Sequence, residues 1–227
     1  MSAAPNLRLI RTEERPQSET GPELRTRVPP SPLLATLAAV DICSFGKGDD
    51  YIQLHQRREM YEHMAEAFEI TQIPWQECYL EDRGDGALIV APSNVPAEYL
   101  LDPLAHHLTA VLRRYNRLAS AAARLQLRLA VNFGYVYRDD HGFAGRPLIH
   151  LFRLLEAAEF KQSIADADAD ADFGLIVAER LYTDAVNYGG FVNPGSYQTL
   201  RINCKETRAL ARVWLSPGKF TPQPCSE

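Results

Sequence analysis

After a proline-rich stretch ending in Pro29, Pro30 and Pro32, the chain runs LLATLAAVDI, an apolar segment that closes on an acid. Its length and lack of alternation predict a strand buried on both faces at about residues 34–41. The next nine residues, Ile42–Asp50 (ICSFGKGDD), read as a loop. Over 50–69, Ile52, Tyr61, Met64 and Phe68 recur near helical spacing with charge between them, and Asp49 or Asp50 supplies an N-cap, so this is a predicted helix. Pro74–Glu81 and Ala87–Ala91 are strand-like runs around the turn Asp82-Arg83-Gly84-Asp85-Gly86, which predicts a hairpin. Pro96–Leu118 reads as one long amphipathic helix and Gln126–Gly134 as a strand. Gly145–Ala158 is a predicted helix with Leu148, Leu151, Phe152 and Leu155 on a core-facing stripe and Pro147 tolerated in its first turn. Phe173–Val177, Glu179–Tyr188, Tyr197–Cys204 and Ala209–Leu215 then read as strand, helix, strand, strand.

Strand, helix, strand, strand, helix, strand over 34–134 is the split pattern of a ferredoxin-like βαββαβ core, here with extra C-terminal strands and helices, giving an α/β (α+β) fold class. If the first strand lies beside the hairpin, its C-terminal end meets the hairpin tip, and Asp41 and Asp85 converge. Residues 1–30, rich in charge, Pro, Ser and Thr, read as a disordered, solvated tail; 31–220 is one catalytic-size domain, and 221–227 a flexible C-terminus.

Composition narrows the function classes. The 227 residues are 46% hydrophobic, enough for a real core. Twenty-four Lys+Arg against 29 Asp+Glu give a net charge of −5, which argues against nucleic acid or an anionic membrane as partner. No apolar run approaches the roughly 20 residues that span a bilayer, and the start lacks a secretory segment, so a cytoplasmic protein is expected. Cys43, Cys78, Cys204 and Cys225 form no C-x-x-C pair and read as reduced. The acidic run ADADADAD within Lys161–Asp172 lacks the glycine and closing Glu of an EF-hand and reads as a solvated loop.

Two acids at adjacent strand ends, each near glycines, suit Mg²⁺ or Mn²⁺, which prefer oxygen ligands. The loop Ile42–Gly48 leads into a helix, so its amides and the helix N-terminus are expected to receive phosphate oxygens, with Gly46 and Gly48 clearing side chains from the approach and Phe45 packing beneath. Gly46-Lys47 is not a Walker A loop, and no G-x-S-x-G elbow or H-E-x-x-H occurs.

The segments VDICSFGKGDD, EDRGDGALIVAP, LRLAVNFGYVYRDDHGFAGRPLIHLFRLLEAA and RINCKETRALARVWL, in this order, resemble the class III nucleotidyl cyclase catalytic domain over about 33–216. The resemblance implies conversion of a nucleoside triphosphate to a 3′,5′-cyclic mononucleotide and diphosphate with two Mn²⁺ or Mg²⁺ ions per site. It places Asp41, Asp85 and the Ile42 carbonyl as metal ligands, Phe45 and Gly46 in the phosphate loop, Arg153 as the transition-state arginine and Lys205 near the triphosphate lysine. It implies a head-to-tail homodimer in which the second subunit contributes Arg153. Ile149 stands where the family has a ribose-orienting Asn, and the neighbouring His150 is the candidate substitute. Glu81 occupies the base-selecting position, where a lysine would select adenine, with its partner expected near Arg146. The EDRGDG strand end and the GxAGRxxxxxFRLLEA helix look similar to bacterial pyrimidine cyclases of anti-phage signalling, which convert UTP or CTP and act on a separate effector.

Plainer roles stand beside these. Arg153 could pair with Glu156 or Glu159 on its own helix, Lys205 could be an edge-strand charge, Glu81 and Asp82 could solubilise the hairpin, and His150 could be a satisfied interface histidine. Three competing functions follow: a cyclase-homology module that binds nucleotide or a partner without turnover, for which Ile149 speaks; a purine cyclase, for which Glu81 suggests GTP; and a diguanylate cyclase or polymerase-palm enzyme, against which the missing G-G-D/E-E-F signature counts. With no sensor domain before residue 31, regulation is expected from the tail, from expression or from a separate molecule.

Overall fold

The computed structural model describes residues 31–167 and 171–218; the expected tail over 1–30, the end 221–227 with Cys225, and three positions of the acidic run lie outside them. One sheet organises everything described, with β1 (Leu33–Ile42), β2 (Tyr79–Asp82), β3 (Gly86–Val90), β4 (Leu127–Asp139), β6 (Phe173–Ala178), β7 (Gln198–Cys204) and β8 (Thr207–Leu215) in the order β2-β3-β1-β4-β6-β8-β7. A short β5 (Gly142–Ala144) pairs with the end of β4. The β2-β3-β1-β4 half is the ferredoxin-like arrangement expected from the element order.

β1 is buried on both faces because both faces are covered. Ala38, Val40 and Ile42 join a core under α1 (Asp50–Ile70) and α2 (Asp102–Asn116), while Ala35, Leu37 and Ala39 join a second core under α3 (Arg146–Glu156) and α4 (Ala158–Ala165). By the same alternation Asp41 belongs to the α3/α4 face, just past the end of that apolar row. A further short helix, α5 (Glu179–Asp184), follows β6 and continues as a π-helical turn over Ala185–Gly189.

Several elements differ from the expectation for identifiable reasons. The expected helix over 96–118 breaks at Leu101: Ala97–Leu100 is a 3₁₀ turn, and Pro103, with no N–H to give and a ring that blocks the preceding turn, starts a new helix in its first turn. Residues 75–77 are a turn instead of strand, because Trp75 folds onto α1, edge-on to Phe68 at 5.0 Å, with its N–H donating to Glu69. The helix expected over 145–158 stops at Glu156, where Ala157 is extended, and α4 takes up Lys161–Ala165, the first part of the segment read as an acidic loop. Phe152 is only partly buried, unlike Leu148, Leu151 and Leu155. On α1 the buried row is Gln56, Glu59, Met60, Met64, Ala67 and Phe68, so Ile52 and Tyr61 sit at its margin. Cys43, Cys78 and Cys204 are free thiols. Among the described residues no helix is long and apolar enough to cross a membrane.

Candidate active site

Asp41 pairs in register with Gly86 on β3 and with Arg128 on β4, so the end of β1 is where three strands meet. The Ile42 N–H donates to the Asp85 carbonyl at 2.9 Å, which brings the hairpin tip against β1 as the strand order predicts. Gly86 is required for this: a Cβ there would lie 2.0 Å from the Val40 carbonyl oxygen. Gly84 turns the tip at φ +88°, a left-handed conformation open to glycine. Asp82 is more than a solubilising charge. It accepts from the Gly84 N–H at 2.9 Å and from the Tyr61 hydroxyl at 2.6 Å and pairs with Arg57, which ties the tip to α1. Asp85 is left exposed at the tip.

Arg128 is the residue that the sequence reading missed. Its Nε donates to Asp41 Oδ1 at 2.8 Å and its Nη2 to Oδ2 at 2.7 Å, a bidentate pair with both side chains largely buried. Burial raises the Asp41 pKa, Arg128 pulls it back, and the negative charge of Asp85 adds to the rise. The signal for Arg128 was a charge inside an otherwise apolar strand, QLRLAVNFG, at the register position facing Asp41.

The loop after β1 is turned tightly into α1. Ser44 adopts a left-handed conformation and Phe45–Lys47 form a 3₁₀ turn, with Phe45 packed on the main core. The Phe45 and Gly46 amides donate to no protein group among the described residues, and Gly46 faces open space. In the first turn of α1, Asp49 accepts the Ile52 N–H at 2.9 Å through its side chain and the Gln53 N–H through its carbonyl. Gly48 serves packing, since a Cβ would meet Ile52 at 2.9 Å. The Phe45 and Gly46 amides, and those of Asp50 and Tyr51 at the helix start, are thus without a protein acceptor among the described residues.

Arg153 and Lys205 form a second cluster. Arg153 Nε donates to Glu206 at 3.1 Å and its Nη1 lies 3.6 Å from Glu156; Lys205 Nζ is 3.3 Å from the same Glu156. Lys205 occupies the left-handed position of the β7–β8 turn. Among the described residues, no contact joins this cluster to Asp41 or Asp85 in the same chain. His150 is half-buried and desolvation lowers its pKa, so it is neutral at pH 7, while the neighbouring Ile149 is half exposed. Arg146 is exposed at the start of α3. Glu81 is engaged: Arg83 lies 2.7 Å from it and the Tyr79 hydroxyl donates to it at 3.3 Å, while the Arg83 guanidinium sits 5.0 Å over the Phe152 ring.

Asp41, Asp85 and the Ile42 carbonyl offer only hard oxygen donors at one strand end, and the desolvated Asp41 carboxylate already holds a cation in the form of Arg128. That donor set fits Mg²⁺ or Mn²⁺ better than the nitrogen and sulfur ligands of zinc sites. Among the described residues no cluster of three or more His, Cys, Asp or Glu side chains forms a protein-only metal cage, so phosphate or water oxygens would complete the coordination.

No protein-family model matches the chain, and no curated protein matches its sequence. Solved structures match its fold. A guanylyl cyclase superposes with a TM-score of 0.57 at 14% identity, over 86% of this chain and 96% of that one. An adenylate/guanylate cyclase/hydrolase from Silicibacter pomeroyi gives 0.57 at 16% identity, over 83% and 99%. The guanylate cyclase domain of a protein from Catenaria anguillulae, solved in complex with GTP, gives 0.53 at 16%, over 82% and 97%. With its ferredoxin-like half, its β6–β8 extension and near-complete overlap with these domains, the chain has the fold of the adenylate and guanylate cyclases.

Proposed function

We propose that the protein is a homodimeric nucleotidyl cyclase that converts a pyrimidine nucleoside triphosphate, UTP in preference to CTP, to its 3′,5′-cyclic mononucleotide. The observation that carries the reading is the convergence of Asp41, the Ile42 carbonyl and Asp85 on one strand end beside two undonated loop amides. In the reaction the ribose 3′-oxygen bonds to the α-phosphorus, the bond from that phosphorus to the β-phosphate oxygen breaks, diphosphate leaves and the hydroxyl proton passes to solvent. Two Mg²⁺ or Mn²⁺ ions held by Asp41, Asp85 and the Ile42 carbonyl would supply Lewis-acid activation of the hydroxyl and neutralise phosphate charge. The Phe45 and Gly46 amides receive phosphate oxygens. Arg153 stabilises charge on the α-phosphoryl group, Lys205 binds the triphosphate, and His150, neutral at pH 7, stands near the ribose in place of the family's Asn.

Arg153 and Lys205 act from the second subunit. Their carboxylate partners Glu156 and Glu206 are well exposed, so these pairs are weak and give way readily to a phosphate. Exposed Leu33 and Leu34, with Tyr135 paired opposite Leu34, and exposed Ile149 support an apolar subunit contact. Glu81 in the base-selecting position, already engaged by Arg83 and Tyr79, speaks against adenine. The product would signal to a separate effector in cytoplasmic anti-phage defence.

The test combines product identity with complementation. Purified protein with Mn²⁺ and each of ATP, GTP, CTP and UTP is assayed by mass spectrometry, alongside Asp85→Asn, Arg153→Ala and a re-associated mixture of the two. Each variant alone is inactive, and the mixture regains about one quarter of wild-type activity, because half the dimers are mixed and each carries one intact site. A cyclic pyrimidine product supports the substrate assignment; cyclic GMP would transfer it to GTP through Glu81. No cyclic product from any of the four, from a confirmed dimer, would overturn the enzyme reading.

A further inference from the structure

The chain carries a net charge of −5, yet four arginines collect around the C-terminal end of α2: Arg113, Arg114 and Arg117 on or next to the helix and Arg124 beyond the turn that follows. They line a hollow of about 540 Å³ on the α1/α2 side of the sheet. Two are partly neutralised: Arg113 Nε lies 3.7 Å from Asp172, and Arg114 pairs with Glu66. Arg117 and Arg124 have no carboxylate partner among the described residues. The last-turn carbonyls of α2 favour positive charge there, but the guanidinium groups still repel one another, and an anion between them removes that repulsion.

A second hollow of about 510 Å³ adjoins the first and shares Arg114; its walls include Tyr115, His55, His63 and Leu118. Leu118 is 83% exposed, an unusual cost for a leucine unless something covers it. His63 Nε2 is buried without a hydrogen bond among the described residues, with Glu59 Oε2 3.5 Å away. The walls are fixed. The Tyr115 hydroxyl donates to the Ala123 carbonyl at 2.8 Å and accepts from His55 at 2.8 Å, and Gln56 donates to the Arg124 carbonyl at 3.0 Å. A rigid pair of hollows, one lined by guanidinium groups and one by flat rings and an exposed leucine, matches a ligand with phosphates at one end and a planar ring at the other.

We infer that this face binds a free nucleoside polyphosphate, with its phosphates on Arg117 and Arg124 and its base against Leu118 and Tyr115. The site lies on the α1/α2 side of the sheet, whereas Asp41 belongs to the α3/α4 side, and no carboxylate lines either hollow, so the phosphates meet guanidinium groups directly and need no divalent cation. A nucleotide bound there could reach the loop after β1, because Arg124 also lines the hollow of about 450 Å³ behind Ser44, Lys47 and Gly48.

The test is calorimetric titration of the full chain in EDTA with UTP, GTP and sodium triphosphate, using wild type, Arg117→Gln/Arg124→Gln, Leu118→Glu and Asp85→Asn. Wild type is expected to bind one nucleotide per chain, more tightly than inorganic triphosphate. The double arginine variant, with its melting temperature unchanged, loses about ten-fold or more in affinity for all three. Leu118→Glu abolishes the preference for nucleotide, and Asp85→Asn leaves the affinities measured in EDTA unchanged. Absence of binding in EDTA, binding indifferent to the arginines, or binding lost with Asp85 would overturn the site. Equal affinity for inorganic triphosphate and nucleotide, or tighter capture of a poly-aspartate peptide, would overturn the nucleotide assignment.

Discussion

Arg128 and Asp41 face each other across adjacent strands, and the guanidinium holds both carboxylate oxygens, at 2.8 and 2.7 Å. Desolvation raises the Asp41 pKa, and the guanidinium opposes that rise. Any divalent cation bound by Asp41 must share or displace this partner. Removing Arg128 is therefore expected to be costly in the metal-free protein: Arg128→Gln leaves a largely buried charge uncompensated and should lower stability by about 2–4 kcal/mol in urea unfolding. Added Mn²⁺ should restore more stability to this variant than to wild type, and an equal Mn²⁺ effect in both would show that the two cations do not compete.

Asp85 is the cleaner probe of the proposed metal site. Its backbone carbonyl, not its carboxylate, holds the hairpin tip to β1, and its side chain is exposed. Asp85→Asn should abolish cyclic-nucleotide formation while leaving stability within about 0.5 kcal/mol of wild type. A large loss of stability would mean that the carboxylate has a structural partner.

Gly86→Ala tests how the two acids are brought together. The added methyl would meet the Val40 carbonyl at 2.0 Å, so β3 must retreat from β1. Unfolding experiments should register a loss of about 3 kcal/mol or more. Activity should fall further than this loss of folded protein explains, because the retreat separates Asp85 from Asp41.

Acid sensitivity should appear above the range where carboxylates titrate. Desolvation lowers the pKa values of His63 and His150 below the ordinary 6.5, with Glu59 and Glu66 opposing the shift at His63. The unfolded chain then binds more protons than the folded one just below pH 6.5, so stability is full above that value and declines as pH falls through it. The urea midpoint should drop over the interval just below about pH 6.5, and the His63→Gln/His150→Gln variant should show a flatter profile. A wild-type midpoint constant over that interval would exclude the mechanism.

Where the physics is local, the sequence was readable. The uninterrupted apolar run of β1, an aspartate cap at 49 or 50, the turn around Gly84 and the order of elements through β4 all emerged from patterns within a few residues of each other. Element ends were less so, as Trp75 and Pro103 show: one turned its segment to reach α1, the other restarted a helix. Arg128 was passed over because its role depends on a partner 87 residues away. The split of the candidate site residues into a carboxylate cluster and an Arg153–Lys205 cluster was also invisible to pattern, since it depends on where α3 and the β7–β8 turn pack.

By itself, then, the sequence determined the alternation of strands and helices, the burial of β1 and the convergence of Asp41 and Asp85, because hydrophobic periodicity and turn chemistry act over short stretches of chain. Tertiary structure decided which charges are paired. It joined Arg128 to Asp41, Asp82 to Arg57 and Tyr61, and Glu206 to Arg153, and it gathered arginines at the end of α2, because an ion pair forms between whichever groups packing brings within a few ångströms.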